Sequence, residues 1–243
     1  MGSEERSSST LIFHRGVDLP CFAAFTMLGD RGGRDKLRAY FAPYLALARE
    51  RGVGFVLDTA TWRANPDWAE KAGYARDELA RLNRAAIDLM HEVRERYETA
   101  ASPMVVSGAI GPRGDGYDPG ALMSPDEAAD YHGFQIGLFR DAGADLVSAF
   151  TMTNIGEAQG VALAAKAADM PCVISFTVET DGRLPTGDTL AEAIESVDAA
   201  SGEGPAYYMI NCAHPTHFHH VLDAGGAWTK RIRGLRANSS CLS

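Results

Sequence analysis

Along the chain, short unbroken apolar runs alternate with longer stretches in which apolar residues recur every three or four positions. GVGFVLDTAT (52–61), SPMVVSGAIG (102–111), AGADLVSAFT (142–151), MPCVISFTV (170–178) and PAYYMINCA (205–213) have strand length. Unbroken rather than alternating apolar runs predict strands covered on both faces, as in a parallel sheet. RIRGLRAN (231–238) reads as a sixth strand.

Helical periodicity fills the intervals, over residues 37–52, 75–98, 124–143, 154–169 and 188–201. The third of these opens SPDE, an N-cap serine with a proline and acids in the first turn. Repeated strand–helix units predict an α/β fold with a parallel sheet. No GxGxxG turn follows an early strand, so a dinucleotide fold is disfavoured. A (β/α)8 TIM-barrel type is the better reading, incomplete at about six of eight strands, with the first and last missing.

Composition narrows the function classes. The chain has 243 residues, 46% hydrophobic and 23% charged, with a formal net charge of −9. That balance argues against nucleic-acid or anionic-membrane partners, which call for clustered Lys and Arg. No apolar run reaches the length of a membrane span. Residues 1–10 read as a disordered leader without signal-peptide order, so a cytoplasmic protein is expected, with residues 11–243 as one partial barrel domain. Open sheet edges leave room for a homo-oligomer. Four cysteines, Cys21, Cys172, Cys212 and Cys241, are widely spaced and form no CxxC pair.

In barrels of this class chemistry gathers at the C-terminal ends of the strands. Those ends carry Asp58, Thr59 and Thr61; Ser107, Gly108 and Gly111; Phe150, Thr151 and Thr153; Thr177 and Glu179; and Asn211 and Cys212. Cys212 reads as a buried thiol, a thiolate ligand or a nucleophile. His214, His217, His219 and His220 follow it, and His217 with His220 at helical spacing three makes a Cys212-His217-His220 zinc site an alternative. The plainer reading of the histidines is a polar helix start. Trp62 and Trp68 read as loop anchors, DGRLPTGD as a turn, and Asp115 with Asp118 as a weak cation pair.

MINCAHP, VLDTATWRANPDW, VVSGAIGPRGD, VISFTVETDGRLPTGDTLAEAI and RIRGLRAN resemble, in order, segments of the homocysteine S-methyltransferase family. The resemblance runs from about residue 11 to 238. It implies a barrel that moves a methyl group onto a small-molecule thiol, with zinc as cofactor, and a place in methionine biosynthesis. It implies that Cys212 is one of three zinc thiolates and that Thr59, Thr61, Gly108 and Asn211 line the substrate site. The methyl donors it suggests are betaine, S-methylmethionine and S-adenosylmethionine. The chain departs from the pattern in lacking the Gly-Gly-Cys-Cys segment and the first-strand Asp-Gly-Gly segment. It also has Phe150 where the family commonly has a substrate-binding glutamate. A chain truncated at both ends with weak or no activity by itself is therefore expected, the rival being a non-catalytic fragment or pseudoenzyme that binds a partner.

Overall fold

A computed structural model describes residues 19–240. The leader expected over residues 1–10 lies outside them, as does Cys241. The described elements run α1 (Arg31–Arg51), β1 (Phe55–Asp58), α2 (Pro66–Lys71), α3 (Arg76–Tyr97), β2 (Met104–Ile110), α4 (Pro125–Asp141), β3 (Leu146–Met152), α5 (Ile155–Ala167), β4 (Cys172–Phe176), α6 (Leu190–Ser201), β5 (Tyr207–Asn211), α7 (Pro215–Asp223) and β6 (Ile232–Arg236). All six expected strands form. They make one parallel sheet in chain order, β1 to β6. The sheet is curled into a half-barrel.

Local chemistry explains the helix ends. Ser124 and Glu127 form a reciprocal capping box at α4, and Thr189 with Glu192 does the same at α6. Asn65 and Asn154 cap α2 and α5. α1 stops at Gly52, whose φ of 59° turns the chain left-handed at no steric cost. Helix α2 is absent from the periodicity reading because its 6 residues are too few to show a period.

Each strand sends alternate side chains to opposite faces. Leu57, Val106, Val147, Ile174 and Ile210 pack outward under the helices in the main core. Ala109, Phe150, Val173 and Met209 face the concave side and form a second, smaller cluster with Trp62. Polar residues share that concave side. Ser107 and Ser148 hydroxyls meet at 2.8 Å. Arg236 of β6 pairs with Asp58 of β1, and its guanidinium carbon stacks 4.2 Å from the centre of the Phe150 ring. β1 and β6 are the two ends of the strand order, so the sheet curls far enough for an ion pair to bridge them.

Outside the sheet, α4 and α5 bury a histidine–glutamate pair. His132 Nε2 lies 2.9 Å from Glu157 Oε1, and both side chains are almost fully enclosed. Burial pushes the Glu157 carboxyl up. The hydrogen bond and charge of His132, the Arg113 backbone N–H and the Asn154 amide outweigh it, and the carboxyl ends below its ordinary 4.5.

Two measurements check these contacts. Arg236→Met strands Asp58 in a site only 6% exposed, and an expected loss of about 3 kcal/mol shows in urea unfolding. The double variant Asp58→Leu/Arg236→Met recovers part of that loss, and a single variant as stable as wild type would refute the bridge. For Glu157, a lowered folded pKa means stabilisation that is complete above 4.5 and fades as pH falls through the folded value. The stability gap between wild type and Glu157→Gln, about 2 kcal/mol at neutral pH, therefore narrows as pH falls below 4.5.

Candidate active site

β5 ends in Asn211, and the chain must then leave the sheet for α7. It does so through Cys212 at φ 59°, while Thr151 on β3 stands at φ 62°. Left-handed backbone is costly for any residue but glycine and more so for a β-branched threonine, of order 1–3 kcal/mol each. The strain is held by one side chain. Asn211 Oδ1 accepts from the Thr151 backbone N–H at 3.0 Å and from Ser175 Oγ at 2.5 Å. A backbone N–H only donates, so the atom facing it is the amide oxygen, and the amide nitrogen is placed by exclusion. Asn211 Nδ2 then donates to Thr151 Oγ1 at 2.9 Å and to Cys212 Sγ at 3.0 Å. Thr151 Oγ1 accepts there, so its own proton is free to point at Cys212 Sγ, 3.8 Å away. Two donors directed at one sulfur suit its use as an acceptor, the role of a thiolate.

Cys212 is 4% exposed and opens on a small cavity of about 60 Å³ at the mouth. Tyr117, Glu179, His214, His217 and Asn238 share its lining. A single water takes roughly 15 Å³ on this scale, so the space suits a small functional group rather than a large cofactor. The loop over residues 112–120 covers the mouth. Its Pro112 and Gly114 carbonyls accept from Asn65 Nδ2 and Trp68 Nε1. Cys172 differs from Cys212: burial at the start of β4 pushes its thiol up to about 12, which leaves it inert.

The other expected site residues separate into two groups. Asn211 joins Cys212 directly. Thr59 and Thr61 stand at the end of β1, fully buried, with hydroxyls 2.6 Å apart. Thr61 donates to the Ala109 carbonyl and Thr59 accepts from the Ala109 N–H, which joins β1 to β2, and the Thr59 proton is left to donate to Thr61 Oγ1, so both hydroxyl protons are committed. Gly108 is directed elsewhere. A side chain there would run into the Phe139 ring of α4, so this glycine serves helix–sheet packing on the outer face. Gly111 does allow a close approach, since a β-carbon would strike Trp62.

The histidines fall into two neighbouring pairs: the His214 and His217 rings lie 6.0 Å apart beside the Cys212 cavity, and those of His219 and His220 lie 5.8 Å apart. His217 is buried beside the Cys212 cavity, His219 and His220 are exposed, and the His214 ring accepts from the Thr216 N–H at the start of α7. Spacing three on α7 thus gives two histidines in different surroundings, which corrects the Cys212-His217-His220 alternative. Asp115 and Asp118 accept from the Tyr117 and Gly120 N–H groups. Among the described residues, no three of His, Cys, Asp and Glu are grouped to hold a metal ion. A catalytic zinc takes three protein ligands and keeps a fourth position open. Cys212 supplies one thiol, so the described residues by themselves do not fit that donor set.

Three features carry no strong sequence signal. Asp58 ends an apolar strand run and Arg236 ends one that already carries Arg233, so nothing local singles out their pairing. Arg63, between two tryptophans in TWRANPDW, is 8% exposed and reads as a surface loop residue until the fold is seen. The Glu157–His132 pair falls at ordinary helical positions.

The family model described as homocysteine S-methyltransferase matches residues 17–240. Homocysteine S-methyltransferase 3 of Arabidopsis thaliana is 23% identical over 198 residues, covering 71% of this chain and 56% of its own length. Homocysteine S-methyltransferase 4 of Zea mays is 24% identical over 185 residues, covering 69% and 54%. The selenocysteine Se-methyltransferase of Brassica oleracea var. italica is 24% identical over 181 residues, covering 66% and 52%. The chain thus spans about half the length of these relatives. Among solved structures, the metallated form of the homocysteine methyltransferase MmuM from Escherichia coli matches with a TM-score of 0.71 at 19% identity, over 96% of this chain and 90% of that one. At that identity the likeness shows the fold, an α/β barrel type. The family match covers nearly the whole chain, and the chain belongs to the homocysteine S-methyltransferase family.

Proposed function

We propose that this chain carries the acceptor side of a methyltransferase that moves a methyl group onto a small-molecule thiol. The observation that supports it best is the Cys212 thiol at the mouth cavity, with Asn211 and Thr151 donors directed at its sulfur. In this reading Cys212 is one thiolate of a zinc site whose other ligands lie outside residues 19–240. Zinc, when bound, would hold the acceptor sulfur as a thiolate at neutral pH. The chain's own residues do the rest. Asn211 orients the Cys212 sulfur, Thr151 backs it, and the 112–120 loop limits water at the cavity. We read the acceptor as a thiol rather than as homocysteine in particular, because Phe150 offers a ring and no carboxylate to a substrate amino group. Cys21, Cys172 and Cys212 form no disulfide with one another, which suits a reducing, cytoplasmic setting. No helix among the described residues is long and apolar enough to cross a membrane.

The reading is tested on the purified chain. Methionine formation from homocysteine and S-methylmethionine is expected to be weak and to vanish in Cys212→Ser; equal turnover by that variant refutes the assignment. Less than one zinc per chain is expected after dialysis. Asn211→Ala is expected to weaken the residual zinc affinity about 10–100-fold, while His217→Ala/His220→Ala leaves it unchanged. One tightly held zinc with full turnover by this chain alone would show that the donor set is already complete.

A further inference from the structure

Among the described residues, Arg63 is the one arginine with buried donors that lack a partner. Its side chain is 10% exposed, and Nη2 donates to Asp115 Oδ2 at 3.1 Å. Nε and Nη1 are buried without any hydrogen-bond partner. A guanidinium has five N–H donors, and leaving buried charged donors unmet is costly, so this arrangement is incomplete as it stands. It is also rigid. The guanidinium carbon lies 3.7 Å from the Trp68 ring centre and 4.7 Å from that of Trp62. Trp68 is pinned through Nε1 to the Gly114 carbonyl at 3.3 Å, and Trp62 through Nε1 to the Phe150 carbonyl at 3.2 Å.

The position is at the mouth. Trp62 belongs to the cluster on the concave side of the sheet. Gly116, next to Asp115, packs so closely that a β-carbon there would press on the Thr151 methyl and the Trp62 ring. Thr151 in turn contacts Cys212. The local charge is positive in excess. Lys71 stacks 4.0 Å from the Trp68 ring centre, so two cations share that ring against the single carboxylate of Asp115. Arg113 and Asp67 pair with each other at 2.8 Å and cancel.

We propose that Arg63, preorganised between Trp62 and Trp68, is the receptor for the carboxylate of a small-molecule ligand at the barrel mouth. This rests on the methyl-transfer reading of the mouth. A planar guanidinium with free N–H groups matches a planar, singly charged two-oxygen acceptor. The stacking holds the plane before the ligand arrives, so little freedom is lost on binding. The same chemistry is present on an amino-acid acceptor or product and on a zwitterionic methyl donor, and the test separates them.

Isothermal titration calorimetry with L-methionine, L-methioninamide and glycine betaine on the full chain decides it. Wild type is expected to bind a carboxylate probe at least ten-fold more tightly than the amide, and Arg63→Gln to lose that preference while keeping its thermal unfolding midpoint. Asp115→Asn, at a position whose side chain is 46% exposed, frees Nη2 and is expected to tighten carboxylate binding several-fold. If Arg63→Gln fails to fold, the Asp115→Asn result decides alone. Dependence on Arg63 for methionine assigns the acceptor side, and for betaine the donor side. An amide bound as well as the acid, a preference that survives Arg63→Gln, or no binding of any probe by wild type overturns the proposal. A carboxylate preference without methyl transfer leaves Arg63 standing and removes the methyl-transfer reading; transfer without the preference does the reverse.

Discussion

The carboxamide of Asn211 holds three strand ends in one arrangement. Its oxygen takes the Thr151 N–H of β3 and the Ser175 hydroxyl of β4, and its nitrogen reaches the Thr151 hydroxyl and the Cys212 sulfur. Four hydrogen bonds from one fully buried side chain allow two left-handed residues, Thr151 and Cys212, to persist where the backbone would otherwise relax. Those two conformations set the sulfur at the mouth. An aspartate in this place would lose both donors, and an alanine would leave a buried N–H and a hydroxyl without their acceptor.

A second constraint is electrostatic. Parallel strands without a closing neighbour leave backbone groups unpaired at the sheet ends. Here the Asp58–Arg236 pair spans the concave side between β1 and β6, and the Arg236 ring contact uses Phe150 as its platform. The pair is enclosed enough to be strong and costly to break from one side only. Phe150 thus has a packing task in this chain that a carboxylate would perform differently, since a carboxylate there would compete with Asp58 for the guanidinium.

Much of the fold was legible in the sequence because strand and helix periods are local. The six strands, the five long helices and the Ser124 cap follow from patterning and from single residues whose chemistry ends or starts an element. Asn211 and Cys212 were legible as a pair because they terminate an apolar run. Gly108 was misjudged for the same reason: its position at a strand end is visible in the sequence, but which face it takes depends on the register with β3 and on Phe139, 31 positions later. The histidine alternative failed similarly, because spacing along α7 says nothing about how that helix lies on the barrel.

By itself, then, the sequence determined the order of strands and helices, their parallel character and the family segments, since each of these is written in residues close together in the chain. Tertiary structure alone decided which charges meet. Asp58 and Arg236 are 178 positions apart, Arg63 and Asp115 are 52 apart, and His132 and Glu157 sit on separate helices. Whether a charged side chain ends paired, stacked or short of partners depends on burial, and burial is a property of the packed whole. That is why YYMINCAHPTHFHH looks like a Cys/His cluster in sequence and, once folded, resolves into one thiol held by an asparagine, two histidines beside its cavity and two exposed ones.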